Sequence, residues 1–371
     1  MSVTSQSKSK PDLLNSPILP TLKKMTIPMI FGMITLMMFN LVDTFFISLL
    51  GTEPLAAVSF TFPVTFTVIS LAIGLGIGTS AVIAKALGSD KLDEARFDAS
   101  IALLISVVMV FFLSVLGYLL ITPTFKLLGA GQQVLPLIHD YMSVWFLGSV
   151  FLITPMVGNS VLRASGDTKT PSIVMGGAGL INAILDPILI FGFGPVPALG
   201  IQGAAIASVI AWSVAVVIIL YILAVKNGLL SLHAGQQTVI GAVRKILKIG
   251  LPAAGANMLT PIAMAVMTAL VAKHGPEAVA AFGVGSRIES IASLVVLALS
   301  MTLPPFVSQN FGARKFERVK EAYTTTLKFV MIWQFAIYLL LIVASGVIAE
   351  VFGKEQAVID VIKLFIYILP L

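Results

Sequence analysis

Apolar residues in this chain are gathered into long unbroken runs, set apart by short stretches rich in charge, glycine and proline. The run from Ile101 to Ile121 contains no charged residue. Crossing roughly 30 Å of hydrocarbon takes about 20 residues of helix, so such a run reads as a membrane span. In lipid every backbone amide needs an internal partner, which makes the spans helices and not open strands. The runs predict spans near 26–50, 55–86, 99–121, 142–163, 172–192, 203–225, 249–272, 277–307, 323–350 and a last one from about 357.

Composition agrees. Hydrophobic residues make up 58% of the 371 and charged residues 11%, whereas a soluble domain is about a quarter charged. The net charge of +6 does not form a nucleic-acid patch, because the basic residues sit in short loops between the runs. Seventeen of the 23 fall on one side, in the clusters Lys8–Lys10, Lys23–Lys24, Lys85–Arg96, Arg163–Lys169, Lys226–Lys248 and Arg314–Lys320. Cytoplasmic loops carry the Lys/Arg excess, which places the N-terminus in the cytoplasm. The first twenty residues lack the apolar core of a secretory signal and read as a cytoplasmic tail. No cysteine is present, so disulfides and thiolate chemistry are excluded.

Sliding the chain against itself gives one productive offset, 224 residues. Lys24 then meets Lys248, Pro28 meets Pro252, Gly51–Ala57 falls on Gly275–Ala281, and Gly88 meets Gly312. Leu128-Gly129 falls on Phe352-Gly353, with Gln132 on Gln356 and Val134 on Val358. If six spans end near Val225, both halves begin in the cytoplasm, and the repeat is parallel with its pseudo-twofold axis along the membrane normal. The expected fold is an all-α polytopic membrane protein of two six-helix lobes. Residues 1–20 form the tail, 21–226 the N-lobe, 227–247 a cytoplasmic inter-lobe loop, and 248–371 a partial C-lobe ending in the tenth span. Twelve spans require a protein of roughly 450 residues, so the C-lobe is expected to be incomplete here.

Ionisable side chains inside spans are costly and usually mark an ion or substrate path. Asp43 follows Asn40 by one helical turn, and Asp186 follows Asn182 by four residues, so each acid shares a helix face with an amide. As a purely structural alternative, Asp43 is a helix-end acid and Asp186 a partner for backbone freed by Pro187. The repeat puts Met267 opposite Asp43 and Met264 opposite Asn40, so an ion site belongs to the first lobe. Arg287 and Glu289 lie in the eighth span; Asn159, Asn257, Gln309 and Gln334 read first as interhelical hydrogen-bonding groups. Pro28 interrupts the hydrogen-bond ladder of the first span and offers a hinge. Gly74, Gly76 and Gly78 lack the Lys-Ser/Thr of a phosphate loop and read as close packing. His139, His233 and His274 have no second ligand at metal-site spacing. No cofactor, resident metal or enzymatic nucleophile is expected.

These residues resemble the multidrug and toxic compound extrusion (MATE) family, and within it the DinF-like branch. The likeness rests on Pro28 to Asp43, Val157–Asp167, Asn182–Gly192 and Gly200–Ser208. It implies a V-shaped, twelve-helix antiporter of the inner membrane. Such a transporter works by alternating access and exports organic cations and other drug-like amphipathic compounds in exchange for H⁺ or Na⁺. It further implies that Asp43 and Asp186 share a coupling site, with Asn159, Asn182 and Ser208 nearby. Two close carboxylates disfavour double ionisation, so H⁺ is the favoured ion, while Na⁺ at Asp43, Asp186 and Asn182 stays open. A monomer in the bilayer is expected. A lipid or polyisoprenoid flippase is the competing function; a basic groove and extra spans would favour it, an acidic first-lobe pocket the exporter.

Overall fold

The computed structural model describes residues 12–368, apart from 234, 236, 275 and 353–355. Its long helices are α1 (Ile18–Ser48), α2 (Thr52–Gly88), α3 (Leu92–Leu119), α5 (Leu135–Ala164), α6 (Lys169–Phe191) and α7 (Gly200–Tyr221) in the N-lobe. A short α4 (Ile121–Leu127) precedes α5. The C-lobe holds α8 (Val239–Val271), α9 (Pro276–Ala292), α10 (Leu294–Gly312), α11 (Phe316–Phe352) and α12 (Gln356–Ile368). Nine helices among the described residues are long and apolar enough to cross a membrane. The protein is a multi-pass helical membrane protein.

Three boundaries differ from the hydropathy reading. The helix α1 begins at Ile18 and α8 at Val239, inside segments expected as tail and inter-lobe loop. Apolar runs mark only the buried stretch of a helix, and helices continue through polar interfacial residues. The expected eighth span is two helices, α9 and α10, meeting at Ser293, whose amide still bonds the Glu289 carbonyl at 2.8 Å. That break has no counterpart in α2.

The 224-residue offset is visible in the backbone. Thr52 and Pro276 begin helices, Gly88 and Gly312 end them, and Leu92 and Phe316 begin the next ones. The turn between carries a left-handed residue at Asp90 and again at Arg314, both with φ 59°. Lys91 N–H bonds the Ala86 carbonyl at 3.0 Å, and Lys315 N–H bonds the Asn310 carbonyl at 2.8 Å. Across the axis the two turns touch reciprocally. A Cβ on Gly88 would fall 1.9 Å from the Gln309 carbonyl oxygen, and one on Gly312 would fall 2.2 Å from that of Lys85; Lys85 and Gln309 are themselves repeat mates.

Small residues let helices approach where lipid removes the hydrophobic drive for association. Gly74 and Gly78 of α2 lie against the backbone of Ile246, Gly250 and Ala254 in α8, and Gly76 against Ser160 of α5. The glycine series is a packing surface. Thr26 of α1 and Thr302 of α10 share a buried 2.9 Å hydrogen bond, and Met29 and Met33 pack on Leu294 and Ala298. Among the described residues, every buried cluster and hydrogen bond joining the lobes lies in the half where α1 starts and α2 ends. In the other half, α1 exposes Met38, Leu41 and Phe45, and α8 exposes Leu259, Ile262 and Val266. The lobes therefore close at the end bearing the Lys/Arg clusters and part at the opposite end.

Candidate functional site

Helices α1 and α6 run parallel and are keyed rung by rung. Gly32 faces Ser172, Thr35 faces Gly176, and Phe39 lies over Gly179, where a Cβ would fall 1.9 Å from the Phe39 ring. Each rung advances three or four residues on both helices, the period of one helix face. Asp43, one turn past Phe39, and Asp186, two turns past Gly179, continue these same two faces, and the two carboxyls stand within hydrogen-bonding reach of each other. Carboxylates are acceptors only, so a bond between them exists only when one carries a proton.

Asp186 is fully buried. Asn182 donates its amide to Asp186 Oδ1 at 3.1 Å and to Ser208 Oγ at 3.3 Å, tying α6 to α7. Asp43 Oδ1 and Asp186 Oδ2 are buried without a donor, an arrangement retained in native proteins chiefly where it has work to do. The Asp186 side chain bonds Asn182 and not backbone freed by Pro187, so the structural alternative for that acid does not describe it.

Tyr141 of α5 completes the cluster. It is 8% exposed and close enough to feel both acids electrostatically. Sequence alone does not single it out, because it falls just before the run at 142–163, beside His139 and Asp140, where an aromatic residue reads as an interfacial anchor. Its only signal is a phenol, which when buried seeks a polar neighbour.

Two expected members stand apart. Asn159 lies on α5 eighteen residues beyond Tyr141, roughly 27 Å along the axis at 1.5 Å per residue. It is therefore at the closed end, buried, with its Oδ1 lacking a partner. Asn40 is exposed, and its side chain makes no hydrogen bond among the described residues. The one-turn spacing puts it near Asp43, but α6 meets α1 along 32, 35, 39 and 43, leaving Asn40 beside that seam. Pro28 lies within an unbroken α1 and borders a cleft of about 200 Å³ with Phe31, Gly32, Thr35, Lys169 and Ser172. Of the other polar residues in spans, Gln309 bonds the Ala164 carbonyl across the lobes at 2.7 Å and Asn257 bonds its own helix at Ala253. No group of three or more metal-ligating side chains occurs among the described residues.

A family model described as MatE matches residues 28–188 and 252–371, two stretches that start one repeat apart. The chain is 43% identical over 364 residues to a Shewanella oneidensis protein named FAD transporter, covering 98% of this chain and 80% of that protein. It is 26% identical over 360 residues to the multidrug export protein MepA of Staphylococcus aureus, covering 93% of this chain and 76% of MepA. Among solved structures, the Vibrio cholerae MATE transporter VcmN in its bent form matches with a TM-score of 0.89 at 35% identity, covering 95% of this chain and 79% of that one.

Proposed function

Since the chain belongs to the MatE family of membrane transporters, which are not enzymes, we propose that it is a cation-coupled antiporter exporting an aromatic, amphipathic substrate, with FAD as the first candidate. The carrying observation is half-buried Asp43 against fully buried Asp186, with Asn182 bonded to Asp186 and Tyr141 nearby, in the half where the lobes part. Two carboxyls in contact, shielded from water, accept a cation as a unit. Loading neutralises the pair, and unloading restores a negative pocket, which gives the lobe two states that a substrate can distinguish.

H⁺ is the proposed coupling ion. With Asn159 and Asn40 outside the cluster and Asn182 turned to donate, few neutral oxygens remain for a hard cation such as Na⁺. The Lys/Arg clusters support a cytoplasmic N-terminus in the inner membrane, so the parted end faces outward.

The substrate class shifts from the organic cations implied by the initial resemblance. The 43%-identical relative is named for FAD, a dinucleotide with an aromatic ring system and an anionic pyrophosphate. Arg287 of α9 and Lys328 of α11 lie roughly 17–18 Å along their helices and are exposed. Cations at that depth face water or an anionic partner in preference to lipid, which suits a phosphate-bearing cargo in the C-lobe half of the cleft. The relatives named for multidrug export support a second reading, a cationic drug. The acid pair in the first lobe favours either exporter over a flippase.

The test is uptake into proteoliposomes of FAD and, separately, a cationic dye under imposed H⁺ or Na⁺ gradients. FAD movement with proton counterflow in sodium-free buffer is expected. Dye transport with no FAD movement would replace the substrate, and exchange seen only with sodium would replace the ion.

A further inference from the structure

At the closed end, two segments cross between the lobes, and the repeat relates them. The first is the turn at 12–16. The Asp12 carboxylate accepts the Leu14 and Asn15 amides at 2.9 and 3.2 Å and the Asn15 side chain at 2.9 Å. Slight burial pushes that carboxyl up, but the bonds from Asn15 and Leu14 and the Lys315 charge outweigh it and hold it below the usual carboxylate range. The turn hands its carbonyls to the C-lobe. Arg318 donates to Leu13 O at 3.3 Å and Ser16 O at 2.8 Å, Lys315 donates to Leu14 O at 3.0 Å, and Asn310 donates to Leu13 O at 3.0 Å. The Leu13 side chain, 3% exposed, packs in one cluster with Phe306 and Ala322.

The second crossing runs the other way. Lys245 of α8 donates to Glu94 of α3 at 2.7 Å and to Gln237 at 2.8 Å, and stands 3.7 Å from Asp98. At the 224-residue offset Gln237 is the mate of Leu13, Glu94 of Arg318 and Asp98 of Ala322. Both crossings thus use the same places in the fold with opposite chemistry. One seats a cation of the C-lobe in N-lobe carbonyls; the other seats a C-lobe cation on N-lobe carboxylates. Asp98 is fully buried, and neither of its oxygens has a hydrogen bond. The charged groups around it are Lys245 and, with like sign, Glu94, itself 3.5 Å from Lys91.

We propose that Lys245 and Arg318 are positioning residues for transport, two latches that hold the cytoplasmic end shut and release together when the lobes rock. A buried carboxylate whose single strong partner sits on the other lobe has two satisfactory states, paired and dry or separated and hydrated. The carbonyl seat of Arg318 behaves alike, since Leu13, Leu14 and Ser16 can exchange the guanidinium for water. Ion pairs and charged hydrogen bonds of this kind are each worth little enough to break within a transport cycle. They nonetheless set which end is open, because they are made in one state only. The naming of the end as cytoplasmic rests on the orientation proposed above; the latch itself does not.

The chain has no cysteine, so paired spin labels can be placed on the intact protein. Asp93 and Glu317 are exposed repeat mates at the starts of α3 and α11, one on each lobe at the closed end. With Asp93→Cys and Glu317→Cys labelled in proteoliposomes, Lys245→Met and Arg318→Met are each expected to raise the long-distance population about tenfold, equivalent to about 1.4 kcal/mol. Lys245→Arg should return the parent distribution. Unchanged distances in both methionine variants would overturn the proposal, as would Lys245→Arg behaving like Lys245→Met, since packing and not charge would then hold the contact. Should Lys245→Met fail to fold by helical signal and elution, Glu94→Gln removes the same pair from the other side and must give the same shift. The readout is a distance and needs no transport, so an error in substrate or ion leaves this test intact.

Discussion

The α1–α6 ladder of Gly32, Thr35 and Phe39 against Ser172, Gly176 and Gly179 brings the carboxyls of Asp43 and Asp186 together, and the proposal is that they act as one group. Asp186→Asn or Asp43→Asn keeps the shape and removes the titrating member, so coupled transport is expected to fall to the level of empty liposomes with insertion intact. Normal coupled transport in both variants would dismiss the site. Tyr141→Phe keeps the ring and deletes one hydroxyl beside the pair. The loss of that dipole should slow turnover and alter the pH profile, because the hydroxyl lies within the field of both acids; a parent-like rate and profile would make the tyrosine plain packing. The acids were legible in the sequence because charge inside a span is rare and needs a reason. Tyr141 was not, since it sits at the polar edge of its apolar run, where aromatic residues occur for ordinary reasons. Asn159 was misplaced because a motif match carries no depth, whereas a helical rise of 1.5 Å per residue takes it to the far end of α5.

Helices were easy to find in the sequence and hard to delimit. Span order, and the repeat that pairs α2 with α9 and α10, follow from apolar runs and a few fixed glycines. The break at Ser293 left no such mark, because Ser290, Ser293 and Ser300 look alike in an apolar stretch. Pro28 shows the converse. The residue announces a weak point, yet α1 runs through it unbroken, with the Lys24 carbonyl deprived of its partner. The cleft beside it, lined by Phe31, Thr35 and Ser172, leaves α1 room to bend toward α6. Pro28→Ala would restore the missing bond and stiffen the helix, by up to about 3 kcal/mol. Turnover is expected to fall several-fold while substrate affinity, measured separately by equilibrium binding, stays within about twofold. A matching loss of affinity, or no change in turnover, would remove the hinge role.

Across the whole molecule the pseudo-twofold is kept in the backbone and broken in the side chains, and the two lobe contacts show how. Gly78 meets Gly250 where α2 crosses α8, and a Cβ on Gly78 would fall 2.5 Å from the Ile246 carbonyl oxygen. The repeat mates of Gly78 and Gly250 are Thr302 and Thr26, which meet where α10 crosses α1 and share a hydrogen bond at 2.9 Å. One crossing is therefore bare backbone on backbone, and the other is spaced by two side chains. The bare crossing has no slack, whereas the threonine crossing can slide and re-form one hydrogen bond. Motion of the lobes should then begin by prising α2 from α8. Gly78→Thr copies the mate's side chain into the tight crossing and should drive the lobes apart at the closed end. Overpacking of this kind costs about 1–3 kcal/mol, a shift of roughly 5- to 150-fold in the open population, read by labels at Asp93→Cys and Glu317→Cys. Thr302→Val, which loses the bond to Thr26 and the hydroxyl's contacts with the Ala298 and Leu299 carbonyls but adds no bulk at the crossing, should move the same distribution less. Equal effects from the two substitutions would mean that both crossings yield together and that the asymmetry has no part in the cycle.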